Sequence, residues 1–527
     1  MSAPTVAPAA PRASTRAAHV VIVGAGFSGI GMGVALQRAG IPFTILDRAD
    51  DLGGVWHANT YPGAACDIPS YLYSFSFAQR RDWTRPCSPH DEIKDYLRDV
   101  ATAYGLLPHL RLGTEVTSAT YDEATARWTV TTAAGETLDA SAVVLGCGQL
   151  SRPAWPRIPG MDRFAGHAFH SAEWDHDHDL RGRRVAVIGT GASAVQFVPP
   201  VAEVAGHVDV FQRSPSYMLP RRNRAYAPWA HAAIRRIPGL QRLRRWGVYT
   251  FCEITTIGLT TRPLLGRATK LWSQAFLRLR VRDRALRRKL TPDYPIGCKR
   301  ILFSSRWYPA LQRENVDLVT DDVVEITERG VRTADGRERE ADTIVYATGF
   351  KSQEFVVPIR VTGAEGRDLH GGWAAGAEAH HGMTVAGFPS LFLLYGPNTN
   401  LSVGSIIVMI EAQIGYVLDA LRLLERTGAD ALDVRPEVQA ASNEALQRDF
   451  DGSVWTSCSS WYRNAQGRVV SNWPHLMREY ERLVARVRPE EFRLVRAGEG
   501  AATSAGSGTA TAGIGDGAGA GEPVAAG

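Results

Sequence analysis

Cysteine is scarce and scattered: six residues, at positions 66, 87, 147, 252, 298 and 458, form no C-x-x-C pair and no zinc-type spacing. Their placement argues against a disulfide framework and a dithiol redox centre, and favours a reducing compartment. No uninterrupted run of about 18 apolar residues is present, so the usual signature of a bilayer-crossing helix is missing. The opening stretch, MSAPTVAPAAPRASTRAAHV, has no compact apolar segment of the secretory kind. A cytoplasmic location is the expectation. The 527 residues are enough for two or three domains.

Acidic residues are nearly missing from one block. Residues 221–290 hold 18 Lys and Arg against 2 Asp and Glu, a local charge of +16, so the rest of the chain carries −11 of the net +5. A block of this kind attracts phosphates, anionic lipid or nucleic acid. Its basic residues alternate with apolar ones at roughly helical spacing, as in LWSQAFLRLRVRDRALRRKL. That pattern reads first as the solvated face of packed helices, in a basic helical insertion over 216–292. Peripheral membrane contact through 221–290 stays open, and a nucleic-acid partner is not expected. Residues 1–17 and the Gly/Ala-rich tail 498–527 can bury too little apolar surface to offset their ordering entropy, and both are expected to be disordered.

Between these ends, the apolar runs in HVVIVGAG, FTILD, SAVVLGCG, RVAVIGTG, VDVFQR, DTIVYATG and LFLLYGP read as buried parallel strands. Helical stretches lie between many of them. The class is therefore α/β, with two Rossmann-like dinucleotide-binding domains, because a strand–glycine turn–helix signature occurs twice.

The first turn, VVIVGAGFSGIGMGVAL, places Gly24, Gly26 and Gly29 in G-x-G-x-x-G. The glycines allow a tight turn, a close approach to pyrophosphate and close helix–strand packing, while the helix N-terminus favours negative charge. A second strand ends in Asp47, 23 residues beyond Gly24, where a carboxylate can accept hydrogen bonds from a ribose with free hydroxyls. The second turn, RVAVIGTGASAVQFVP, places Gly189, Gly191 and Ala194 in G-x-G-x-x-A. Its following strand ends in Gln212 and Arg213 rather than a carboxylate, and a guanidinium can pair with a 2′-phosphate. The second site reads as NADP and the first as a dinucleotide lacking that phosphate. Two dinucleotides in one chain suggest a nicotinamide passing hydride to a flavin. Thr190, Ser193 and Gln196, on or just after the second turn, look placed for the NADP pyrophosphate.

Just ahead of the second turn stands FAGHAFHSAEWD, residues 164–175, which reads as neither a strand nor a long amphipathic helix. It resembles the fingerprint of the Baeyer–Villiger monooxygenases, class B flavin-dependent enzymes, at Phe164, Gly166, His170, Trp174 and Asp175. GGVWHANTYPGAACD, residues 53–67, matches a second signature of that family. The resemblance implies an FAD-containing, NADPH- and O2-dependent enzyme that converts a ketone to an ester or lactone through a C4a-peroxyflavin. It implies FAD binding by 18–150 and 385–490, and NADP binding by 151–215 and 293–384. It makes the 164–175 stretch a connector between the two domains, with a geometric role for His170.

The resemblance also implies site residues. Arg300, in YPIGCKRILFSSRWYP, would be the permanent cation beside the reacting oxygens, and Asp67 the carboxylate that engages it. Lys299 would reach the NADP 2′-phosphate, Trp56 would lie beside the flavin, and Trp461 would sit on a mobile loop folding over NADP. The tract DHDHD, 175–179, reads as a polar turn rather than a metal site. The alternative is a flavin-containing monooxygenase acting on N or S of a soft nucleophile. Asp175 counts against it, since those relatives usually carry Lys or Arg there. A dinucleotide-dependent disulfide reductase is disfavoured by the missing C-x-x-C.

Overall fold

The computed structural model describes residues 18–260, 263–457 and 460–498. The expected disorder of 1–17 and of the tail lies outside these residues, apart from Gly498. Two five-stranded parallel sheets organise the chain. The first runs in the order Leu391–Leu393, Ala142–Leu145, Val20–Val23, Phe43–Leu46, Leu110–Arg111. Alternate side chains point to opposite faces, as strand geometry requires. Val20, Ile22 and Val144 join a core shared with the helices Phe27–Ala39 and Ile406–Thr427. Val21, Val23 and Leu145 join a core under an antiparallel layer, Val116–Asp122, Arg127–Thr132 and Thr137–Ala140. With both faces covered, the strands read as continuous apolar runs.

The second sheet runs in the order Val316–Val319, His207–Phe211, Arg184–Ile188, Thr343–Tyr346, His167–His170. In each sheet the first strand of the glycine signature has neighbours on both sides, so its turn opens at the point where strand order reverses.

Three expectations need correction. The connector is not free of regular structure: His167–His170 is an edge strand, paired in parallel with Thr343–Tyr346. It is short, polar and buried mainly through Phe169 and His170, so it shows neither the alternation nor the apolar run that marks a strand. The boundary at 384/385 is also displaced. Arg360–Thr362, expected in the second nucleotide domain, pairs with Val116–Asp122 of the first. The chain therefore returns soon after Tyr346, where Phe350 bridges to Pro153 of the outgoing crossing. Finally, Cys66, Cys87, Cys147 and Cys252 are free but Cys298 is disulfide-bonded, so the scattered spacing does not exclude a disulfide.

The basic block folds as the helices Pro228–Arg236, Leu240–Thr260, Pro263–Arg280 and Arg284–Lys289. Its ends are tied by pairing of Met218–Leu219 with Leu302–Phe303. Arg245, in the second of these helices, donates to the carbonyls of Tyr71, Leu72 and Ser74, docking the insertion on the first domain.

Candidate active site between the two glycine turns

Two positions of the first turn, Gly24 and Gly29, tolerate nothing larger than glycine. Gly24 has φ +108°, and a Cβ there would stand 2.5 Å from the Gly146 carbonyl oxygen. A Cβ on Gly29 would stand 1.8 Å from the Gly24 carbonyl oxygen. At Gly26 the Gly53–Gly54 segment closes over the turn, with a hypothetical Cβ 3.5 Å from the Gly54 Cα. Asp47 reaches the turn: Oδ2 accepts from the Ala25 amide at 2.6 Å and Oδ1 from the Ala49 amide at 2.9 Å. Trp56, in the short helix Val55–Ala58, donates from Nε1 to the Tyr73 hydroxyl at 3.2 Å.

The second turn repeats the geometry, with Gly189 at φ +112° against the Ala347 carbonyl and open space above Gly191. Beside it the structure gathers a basic pair. Lys299 donates from Nζ to Ser214 Oγ at 2.9 Å and lies 4.7 Å from the Tyr294 ring centroid. Burial, then the positive charge of nearby Arg213, pushes the Lys299 pKa down. Arg213 itself is exposed, and Thr190 Oγ1 faces the Ser214 carbonyl at 3.5 Å. Thr190, Arg213 and Lys299 therefore surround one residue, Ser214.

Gln196 departs from expectation. Its Nε2 donates to the Ala65 carbonyl at 2.9 Å and to Asp67 Oδ1 at 3.3 Å, and its Oε1 accepts from the Tyr61 hydroxyl and the Ala65 amide. Both ends of the amide are committed to the 61–67 segment, so Gln196 buttresses Asp67 rather than offering itself to a pyrophosphate. Its position one helical turn into Ala192–Val204 points it at the first domain. Ser193, nearer the turn, contacts the Tyr61 hydroxyl.

Asp67 and Arg300 meet. Arg300 Nη2 donates to Asp67 Oδ2 at 3.2 Å, joining positions 233 residues apart. The Asp67 side chain keeps 7% of its surface and that of Arg300 keeps 42%. Arg300 lies among Cys66, Tyr395 and Tyr462, with part of its side chain accessible. Burial opposes the charge of Arg300, the Asp67 carboxylate is the largest of the neighbouring groups that favour it, and the net effect raises the guanidinium pKa. Burial pushes the phenols of Tyr395 and Tyr462 and the thiol of Cys66 up, so none of them offers an anion to compete with Asp67.

Two neighbours were not foreseen. Arg221 stands 3.5 Å from Asp67 Oδ1 through Nη1, and its Nη2 donates to the Cys66 carbonyl. Tyr462 is buried near Arg300, whereas its sequence neighbour Trp461 is exposed and held through its carbonyl by Gln353. Nothing in the sequence singled out one arginine among the dense basic residues at 221–224, and the more conspicuous tryptophan masked the tyrosine.

The connector packs tightly. A Cβ on Gly166 would meet the Asp342 carbonyl and the Phe164 ring, both at 2.6 Å. Trp174 lies between Phe169 and Phe197, with centroids at 5.2 and 5.1 Å. His170 is fully buried, its Nδ1 accepts from the Ala172 amide at 3.1 Å, and burial pushes its pKa down to about 4. It is therefore uncharged near neutral pH. In DHDHD, Asp175 Oδ2 approaches His167 Nε2 at 2.8 Å, His176 faces Thr60 Oγ1 at 2.7 Å, and His178 faces Thr343 Oγ1 at 2.8 Å.

The chain is similar to known proteins over most of its length. A family model described as "Pyridine nucleotide-disulphide oxidoreductase" matches residues 21–255. A Baeyer–Villiger monooxygenase of Streptomyces coelicolor is 44% identical over 483 residues, spanning 91% of this chain and 93% of its own. An oxidised steroid monooxygenase bound to NADP superposes with a TM-score of 0.81 at 31% identity, covering 91% of this chain and all of its own. OTEMO in complex with FAD and NADP gives 0.82 at 26% identity, again over 91% and 100%. The chain belongs to the Baeyer–Villiger monooxygenase family.

Proposed function

We propose that the chain binds FAD at the first glycine turn and NADPH at the second, and uses O2 to convert a ketone to an ester or lactone. The observation that carries this reading is the Asp67–Arg300 pair at 3.2 Å, built from a loop after the first turn and a segment after the insertion. The residues present fit both cofactors. Gly24, Gly26 and Gly29 form a cradle that a Cβ would fill, with Asp47 at its edge for a ribose. Gly189 and Gly191 form the second cradle, with Arg213 and Lys299 beside it for a 2′-phosphate. When bound, the flavin supplies the oxygen-transfer chemistry and the nicotinamide its reducing equivalents.

The chain's own residues do the rest. Arg300 holds a fixed positive charge where the ketone oxygen gains negative charge, and arginine keeps that charge even when desolvated. Asp67 orients the guanidinium, and Gln196 and Arg221 hold Asp67. Buried Tyr462 and half-buried Tyr395 help exclude water from the space around Arg300. Trp56, fixed through Tyr73, lines the flavin side. Trp461 is assigned to the NADP side, at a loop that can move on binding.

Purified protein should be yellow and, with NADPH and O2, should add one oxygen atom to members of a ketone panel, as read by mass spectrometry. Arg300→Ala should leave flavin reduction by NADPH largely intact while ester formation falls by about a hundredfold or more. Undiminished ester formation in that variant overturns the arginine assignment. Oxygenation of amines and thioethers without any ester would instead favour the alternative reaction.

A further inference from the structure

The helical insertion carries large apolar side chains on the side that faces away from the core as well as toward it. In Leu240–Thr260 the inner face mixes apolar and polar groups: Cys252, Val248 and Tyr249 pack on the first core, Arg245 is anchored to three carbonyls and to Glu411, and Glu253 Oε1 accepts from the Met477 amide at 2.9 Å. The outer face carries Leu243, Trp246, Phe251 and Ile254, each more than half exposed. Their spacing of three, eight and eleven residues from Leu243 puts them on one side of the helix. The next helix, Pro263–Arg280, repeats the arrangement with Leu264, Leu271 and Leu279, all more than half exposed. Eleven of the seventeen exposed large apolar side chains among the described residues fall between Trp229 and Leu279. A soluble surface rarely concentrates apolar side chains in this way.

The same segment is the one with a local charge of +16. Arg235, Arg236, Arg242, Arg267 and Arg278 are exposed alongside the apolar stripe. We propose that this face docks on an anionic lipid surface, with the leucines and tryptophans entering the headgroup boundary and the arginines meeting lipid phosphates. Amphipathic helices rich in basic residues bind in this manner, and tryptophan favours that depth. A second copy of the chain fits the face poorly, because pairing it with itself would bring two blocks of +16 together. No described helix is long and apolar enough to cross a membrane, so the contact is a lateral one. The proposal rests on this surface alone and is independent of the oxygenase reading.

The test is co-sedimentation of the full-length protein with vesicles of phosphatidylcholine alone or mixed with phosphatidylglycerol. The expected result is binding to the mixed vesicles, a blue shift of tryptophan fluorescence from Trp229 and Trp246, and weakening by added salt. The triple variant Leu243→Glu, Trp246→Glu, Ile254→Glu should bind roughly tenfold more weakly or worse. Its melting temperature should match that of the parent, since all three side chains already meet solvent. Failure of the parent to sediment with either vesicle overturns the proposal. So does a stable dimer in light scattering that the triple variant dissolves, because the face would then be a subunit interface.

Discussion

Arg221 and Asp67 approach to 3.5 Å, on the carboxylate oxygen that Arg300 leaves unused. Both side chains are largely buried, and the Asp67 charge is thus shared between two guanidiniums and the Gln196 amide. A carboxylate held from both sides is a fixed anchor for the Arg300 guanidinium. Arg221→Met should cost about 1–3 kcal/mol of stability, as expected when one partner of a buried pair is removed. Turnover of ketone should fall roughly tenfold while the KM for NADPH stays put, and Arg221→Lys should restore part of the loss. Steady-state kinetics with NADPH and ketone varied separately checks this. An equal rise in both KM values would mean a general loosening of the fold.

Arg213 and Lys299 make a second prediction. The two cations are close enough for Arg213 to lower the Lys299 pKa, a repulsion the fold maintains where an anion would relieve it. A charge-assisted hydrogen bond contributes about 1.5–3 kcal/mol. Lys299→Ala and Arg213→Ala should therefore each raise the KM for NADPH by roughly ten- to hundredfold, while the KM for NADH changes little. Comparing the two coenzymes in stopped-flow flavin reduction separates phosphate recognition from damage to the turn.

Much of this architecture is legible in the chain. The β-branched runs around Val20–Val23 and Arg184–Ile188 sit where covered parallel strands should, because burial on both faces writes itself as continuous apolar sequence. Gly24, Gly29 and Gly189 are equally readable, since backbone atoms within 3 Å of a would-be Cβ leave one residue type. The meander Val116–Ala140 leaves no clear mark in the sequence, because short antiparallel strands with exposed alternate residues resemble loops in composition. Arg360–Thr362 crosses back to the first domain by a three-residue pairing that no local pattern announces. Within the site, Asp67 and Arg300 could be named only through the family signatures, and Arg221 not at all. Ion pairs between segments more than 150 positions apart leave no periodicity to read.

Burial of His170 fixes the sign of an acid dependence. Its folded pKa is about 4, below the ordinary 6.5, so the unfolded chain takes up a proton first as pH falls. Stability is independent of this group above about pH 6.5 and declines from there toward pH 4, by about 2 kcal/mol at pH 5. Replacing it with an uncharged group, His170→Gln, should flatten that part of the profile while lowering stability at pH 7 through lost packing against Trp155 and Phe350. Urea titrations of both proteins between about pH 5 and pH 7 measure the slope difference. Parallel profiles would show that the imidazole is hydrated and free to ionise in the folded state.

Asp175 gives the last prediction, which separates a family marker from a cause of the chemistry. Its contacts are local: Oδ1 accepts from the Asp177 amide at 3.0 Å and Oδ2 pairs with His167. The turn amide first, then His167, lower its pKa, so it is ionised throughout the working range. The partner imidazole lies on the edge strand of the second sheet and stacks on His178 at 4.2 Å, while the Asp67–Arg300 pair joins other segments. A residue so placed can fix the exit of the connector strand but cannot touch a ketone or a reacting oxygen. Asp175→Lys, which installs the type of side chain common in the nitrogen- and sulfur-oxygenating relatives, should therefore keep ester formation within about threefold of the parent and gain no thioether oxidation. Product analysis on a ketone and a thioether offered together decides the matter. A switch toward sulfoxide would mean that the connector strand reaches the reacting centre during turnover, and that the choice of substrate is made at the seam between the two sheets.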